Sequence, residues 1–225
     1  MKYVYIYHPH SDYHEQLLLS IASLKKHDSE ASVAVITDAD IEIDGVEVVH
    51  ANEHDCGAMK ANIFSYVEGD MLILDTDTLF CEKFTPMEGD VCVCKSQAVL
   101  LPVFKAMAKD YNTGVLYVRD SEKSREFFAR LKALYHGDFG KVFDIVAREM
   151  GITEMQSENN VQVNYIGYHK YLDGAVILHY HASAKTIFTF PSFVLKKMNG
   201  SLTEEALEVI ENPKSKYVKP NIFKV

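Results

Sequence analysis

The sequence predicts an α/β fold with a mostly parallel, mixed central sheet flanked by helices. Three observations carry that expectation. Short apolar runs of strand length alternate with segments whose apolar residues recur every three or four positions. The first part of the chain reads strand, helix, strand, strand, helix, strand, an order that favours parallel pairing with helices on the sheet faces. The run Met71-Leu72-Ile73-Leu74 is apolar throughout, as a strand buried on both faces should be.

Element by element, Tyr3 to Tyr7 forms a first strand and His8-Pro9-His10-Ser11-Asp12 a turn. Leu17, Leu18, Ile21 and Leu24 recur at helical spacing up to Lys25-Lys26-His27, basic residues that suit a helix C-terminus. Val33 to Ile36 and Val46 to Val49 follow as strands, and Met59 to Val67 as a helix closed by Glu68-Gly69-Asp70. Beyond Leu74 come a strand over Val91 to Cys94 and a turn, Asn112-Thr113-Gly114, running into another strand to Val118. Glu122 to Tyr135 reads as a helix with Phe127, Phe128, Leu131 and Leu134 inward, and Phe139 to Met150 as a second one ending at Gly151. Ala175 to Tyr180 is a late strand leading into His181. No repeat or low-complexity linker divides the chain, so 1–225 reads as a single domain with a C-terminal helix or tail from about 192.

Composition narrows the function classes. A chain of 225 residues with 48% hydrophobic content can fill a sizeable core. The formal net charge of −9 argues against a nucleic-acid partner, since affinity for phosphate backbones comes mainly from clustered Lys and Arg. Cys56, Cys81, Cys92 and Cys94 contain no C-x-x-C pair, and they read as reduced, buried thiols. With no signal-like or membrane-spanning apolar stretch, the expected location is cytoplasmic. Lys214, Lys216, Lys219 and Lys224, interleaved with Tyr217, Ile222 and Phe223, allow at most a peripheral contact of the tail with an anionic membrane.

The apolar run ends in Asp75-Thr76-Asp77. A doubly buried strand cannot carry two carboxylates in its interior without a compensating charge, so the pair belongs at the strand's end. In open sheets of this type ligands bind beyond the carboxyl ends of the strands. With only Thr76 between them, both carboxylates can approach one hard divalent cation, the kind of ion that commonly holds a diphosphate. Structural calcium binding and helix capping are the alternatives that such a motif leaves open.

Several separated segments resemble one family in the family's own order: GT-A fold glycosyltransferases, most closely the glycogenin-like enzymes that transfer sugars from nucleotide diphosphates. Asp12-Tyr13 followed by Leu18, Ser20, Ser23, Leu24 and His27 resembles the family's opening segment. Asp75-Thr76-Asp77-Thr78-Leu79 is similar to its metal motif, and Asn112-Thr113-Gly114-Val115 to its Asn-Ser-Gly-Val turn. His179 with Lys185 resembles its histidine ligand and diphosphate-binding lysine. The pattern breaks at Ala182, where the family has glycine, in the missing Pro-Trp, and at Asp138-Phe139, where the family has Asp-Gln. The resemblance implies a metal-dependent transfer from a UDP-sugar to a glycan or other hydroxyl acceptor, with retention. It implies Asp75, Asp77 and His179 as ligands of Mn2+ or Mg2+, with manganese slightly favoured by mixed carboxylate and imidazole donors. It implies Tyr7, Asp12, Tyr13, Lys60, Thr76, Gly114 and Lys185 as donor-binding residues, Tyr13 stacking on uracil, and Asp138, Lys185 and Asn112 as catalytic residues.

Each residue also has a structural reading. His179 or His181 could be a satisfied buried histidine, Tyr13 a core aromatic and Lys60 a helix-surface lysine. Asn112 and Gly114 could be turn formers, Asp138 a helix N-cap, and Ser157-Glu158-Asn159-Asn160 reads as an exposed loop. Among rival functions, a haloacid-dehalogenase-like phosphatase would use Asp75 as nucleophile and Asp77 as acid/base. Leu79 at the fifth motif position and the elements preceding the motif count against it. A catalytically silent sugar-nucleotide-binding module is the alternative outside enzymology.

Overall fold

Alternation along the strands builds a sheet that is covered on both faces. The structure, a computed structural model, describes residues 1–9, 13–96, 109–163, 168–180 and 202–213. In chain order these form β1 (Lys2–Tyr7), α1 (Tyr13–His27), β2 (Ser32–Thr37), β3 (Glu47–His50), α2 (Cys56–Ala61), β4 (Met71–Leu74), β5 (Thr78–Phe80), β6 (Val91–Lys95) and β7 (Tyr111–Val118). There follow α3 (Glu122–Leu134), α4 (Phe139–Met150), β8 (Thr153–Glu154), β9 (Val161–Gln162), β10 (Ile177–His179) and α5 (Glu204–Glu211). The main sheet has seven strands in the order β3-β2-β1-β4-β7-β6-β8. β3, β2, β1 and β4 run parallel, and the antiparallel β7 makes the sheet mixed.

On β4, Met71 and Ile73 face a layer made by α2, α3 and α4, which contribute Met59, Phe127, Phe128, Leu131, Val142 and Phe143. Leu72 and Leu74 face the opposite layer with Tyr3 and Tyr5 of β1 and Leu17, Ile21 and Leu24 of α1. Cys92 and Cys94 share this second layer, as strand alternation requires; none of the four cysteines is in a disulfide, and Cys56 and Cys81, expected to be buried, are partly exposed. α1 is used twice, because Leu19 on its other side joins a third cluster with Leu79, Val161, Leu178, Val209 and Ile210. That cluster joins α5 to a second sheet, β5-β10-β9, and a Lys26–Glu211 ion pair of 2.7 Å closes the α1–α5 contact.

Three expectations need correction. The helix expected over Met59 to Val67 starts earlier, at Cys56 on the Asp55 cap, and stops at Asn62. The Asn62 side chain is engaged elsewhere, donating to Glu53 at 2.7 Å and accepting from Ser65 and Lys132, and a 3-10 turn, Ile63–Ser65, replaces the last turns. Asn112-Thr113-Gly114 is strand rather than turn. Against β6 the register jumps from Val93↔Leu116 to Cys94↔Asn112, so the intervening residues bulge away from β6 while Val115 stays opposite Leu74 of β4. The Ser157–Asn160 segment is a 3-10 turn, and its last residue, Asn160, is fully buried. Among the described residues no helix is long and apolar enough to cross a membrane. His10, Asp12, His181, Lys185 and the lysine-rich tail lie outside the described residues.

Candidate metal and nucleotide site

The site lies where β4 ends. Asp75 follows Leu74 directly, and its N–H donates to the Gly114 carbonyl at 2.8 Å, so the β4–β7 pairing fixes the first carboxylate. Thr78 then opens β5, which runs antiparallel to β10 with His179 opposite Thr78. Tyr180 N–H donates to the Asp77 carbonyl at 2.9 Å, which fastens the second carboxylate to the same strand end. Asp75, Asp77 and His179 are thereby brought together, each offering one ligand atom within 4.8 Å of the others. His179 Nε2 stands 3.3 Å from Asp77 Oδ1 and 3.8 Å from Asp75 Oδ2.

Their electrostatics is that of a crowded anionic pair beside one buried ring. Burial opposes protonation of His179, but the Asp77 carboxylate, helped by Asp75, outweighs it and raises the imidazole pKa. Lys60, buried on α2, donates to Asp75 Oδ1 at 2.5 Å and to the Thr113 carbonyl at 3.0 Å. It is not a helix-surface lysine: its ammonium supplies the charge that lets Asp75 stand at the strand end. Asp75 thus divides its oxygens, Oδ1 to Lys60 and Oδ2 toward His179.

Gly114 leaves the room for this arrangement. A Cβ there would come within 2.1 Å of His179 Cε1 and 2.8 Å of Asp75 Oδ2, a volume no larger residue can share. Asn112 is buried, its Oδ1 accepting from Gly114 N–H at 3.0 Å. Asn160 reaches both Asn112 and the His179 ring, and the sequence reading missed it. The available signal was its place directly before the alternating Val161-Gln162-Val163, a pattern that belongs to a buried strand.

The remaining candidates lie around this centre. Tyr13 opens α1 half-buried; burial comes first, then Asp77 and Asp75 among its neighbours, in raising its hydroxyl pKa. Tyr7, at the end of β1, is buried with its ring 6.1 Å from that of His14. Thr76 donates to Gln16 of α1 at 3.2 Å. Asp138 caps α4, accepting from Lys141 N–H at 3.2 Å, and pairs with Lys109 at 2.9 Å. It is not among the three clustered donors, though the ring of Phe139 beside it lies 5.8 Å from the Lys60 ammonium.

No protein-family model matches the sequence, and comparison with curated proteins finds no match. Solved structures do match. Over 92% of this chain and 99% of its own, the galactosyltransferase LgtC, in complex with donor and acceptor sugar analogues, superposes with a TM-score of 0.62 at 14% identity. The chain has the GT-A fold. The apo glycosyltransferase GlyE of Streptococcus pneumoniae matches this GT-A chain with a TM-score of 0.62 at 17% identity, over 95% of it. The chain spans 63% of GlyE. The bifunctional glycosyltransferase WbbM matches 80% of this chain with a TM-score of 0.54 at 15% identity.

Proposed function

We propose that the protein is a metal-dependent glycosyltransferase that moves a sugar from a UDP-sugar to a glycan or other hydroxyl acceptor, with retention. The observation that carries this reading is the convergence of Asp75, Asp77 and His179 at the carboxyl end of the GT-A sheet. Two carboxylate oxygens and one imidazole nitrogen are a donor set that suits Mn2+ or Mg2+, and the Gly114 backbone leaves the space between them clear. A divalent cation bound there supplies Lewis-acid stabilisation to the diphosphate leaving group.

The chain's own residues do the rest. Lys60 holds Asp75 by Oδ1, which keeps the other oxygen turned toward the cation position and offsets the charge of the carboxylate pair. Tyr13, at the start of α1 and within the field of both carboxylates, is suited to serve as the platform for uracil. Tyr7, Thr76 and Gly114 line the same strand ends, while Asp12 and Lys185 enter the reading from the sequence resemblance alone. Asp138 and Asn112 are assigned to the transferred sugar on that resemblance. His179 belongs to the proposed site on geometry, and it has no role in the dehalogenase-like alternative, which is one reason to set that alternative aside. The proposed location is cytoplasmic, as expected from the sequence.

The test is release of UDP from a panel of UDP-sugars with Mn2+ present. Wild-type protein should hydrolyse or transfer at least one of them, and Asp77→Ala should lose nearly all turnover while keeping the wild-type circular dichroism. Equal turnover by the variant, or by wild type after chelation, defeats the reading.

A further inference from the structure

We infer that Asn160 is a positioning residue that holds the His179 ring by a proton on Nδ1 and so turns Nε2 to the cation position. The inference rests on the proposed metal site and adds a residue that acts through the histidine. Its starting point is a backbone amide, which can only donate. Gly114 N–H points at the side chain of Asn112 at 3.0 Å, so the Asn112 atom facing it is the oxygen, Oδ1. The Asn160 side chain lies 3.1 Å from that oxygen and 3.4 Å from the Asn112 carbonyl oxygen. Two acceptors demand a donor, so the NH2 end of Asn160 faces Asn112 and its Oδ1 faces the other way. There it meets His179 Nδ1 at 3.2 Å.

An amide oxygen beside Nδ1 requires the proton on Nδ1. Nε2 is then the nitrogen left for a cation; it stands 3.3 Å from Asp77 and 3.8 Å from Asp75, carboxylates that favour a proton there until a cation takes its place. Reversing Asn160 would set an oxygen against two oxygens and an NH2 against the ring nitrogen. Asn112, Asn160 and His179 are all buried, so no bulk water is at hand to repair such a mismatch. The Nδ1 proton and the orientation of the ring are therefore dictated by the β7 backbone, relayed through two side-chain amides. The bulge that carries Thr113 and Gly114 away from β6 serves both to clear the cation position and to start this relay.

Two measurements test it. In wild-type protein with 15N-labelled histidine, loaded with the diamagnetic cation Mg2+, the His179 signal, identified by its loss in His179→Ala, should show a proton on Nδ1. A bare Nδ1 instead overturns the inference whatever the variants do, and this reading needs no mutant to fold. In Asn160→Leu, Mn2+ affinity by calorimetry should fall about 10- to 100-fold, the usual cost of losing a partner behind a metal ligand, and the visible spectrum of bound Co2+ should change. Wild-type affinity with an unchanged Co2+ spectrum in a folded Asn160→Leu protein also overturns it. Wild-type protein that binds neither Mn2+ nor Co2+ overturns instead the metal site of the proposed function, a failure separate from that of the Asn160–His179 contact.

Discussion

Gly114 is the position where the smallest change has the largest expected effect. Its Cβ would overlap the His179 ring, while the backbone around it is held by the Asp75 N–H on one side and Asn112 on the other. Gly114→Ala should therefore displace His179 rather than Gly114. The expected outcome is a Mn2+ affinity lowered by at least about tenfold, in the range seen when a ligand's orientation is disturbed, measured by calorimetry. Asp138 offers a contrasting test. The bond from Lys109 is the largest cause of a carboxyl pKa held below its usual value, and burial works against it. A carboxyl whose folded pKa is depressed contributes stability above its unfolded pKa and loses it as pH falls through the folded value. Asp138→Ala should cost about 1 kcal/mol near neutrality, the typical loss of a helix cap, and the difference from wild type should shrink below about pH 4 in urea unfolding. If Asp138 also serves the transferred sugar, the variant will lose turnover well beyond what its small stability loss explains.

At the scale of elements, the small sheet β5-β10-β9 decides whether His179 meets the two aspartates. A chain of hydroxyls couples it to the rest: Tyr5 on β1 lies 2.9 Å from Ser20 on α1, Ser20 lies 2.8 Å from Thr78 on β5, and Thr78 donates to the Asp75 carbonyl at 3.0 Å. Thr78→Val keeps the shape of the side chain and removes its hydrogen bonds. It should cost about 1–3 kcal/mol, since Ser20 and Tyr5 are buried with it. For a domain of this size that is a fall of about 2–4 °C in Tm per kcal/mol, read by thermal unfolding. The strands β1, β2, β4 and β6 were legible in the sequence because a half-buried or doubly buried strand writes its period into the residues. The small sheet was not legible as a sheet. β5, β9 and β10 are only two or three residues long, and each finds its partner far away in the chain, so no local period reports the pairing. Asn160 was hidden for the same reason: a polar residue in a polar run is buried only because β9 and β10 meet behind it. Asn62 shows the opposite case, where side-chain bonds to remote partners ended a helix that local propensity would have continued.

For the whole molecule, the doubly covered sheet leaves the carboxyl ends of its parallel strands as the place where charged groups collect. Asp75 and Asp77 were legible there because an apolar strand cannot absorb carboxylates, and the pairing of His179 with them came from the family resemblance rather than from spacing. The likeness to LgtC extends over 92% of this chain and 99% of LgtC, so these residues carry the GT-A architecture. The central claim is that the three donors bind UDP through a divalent cation. Calorimetric titration of wild-type protein with UDP, once with Mn2+ and once after chelation, tests it most directly. UDP should bind with Mn2+ present and lose most of its affinity without it, with GDP and CMP competing poorly in either case. UDP binding that is indifferent to the metal, or absent in its presence, would contradict the assignment of Asp75, Asp77 and His179.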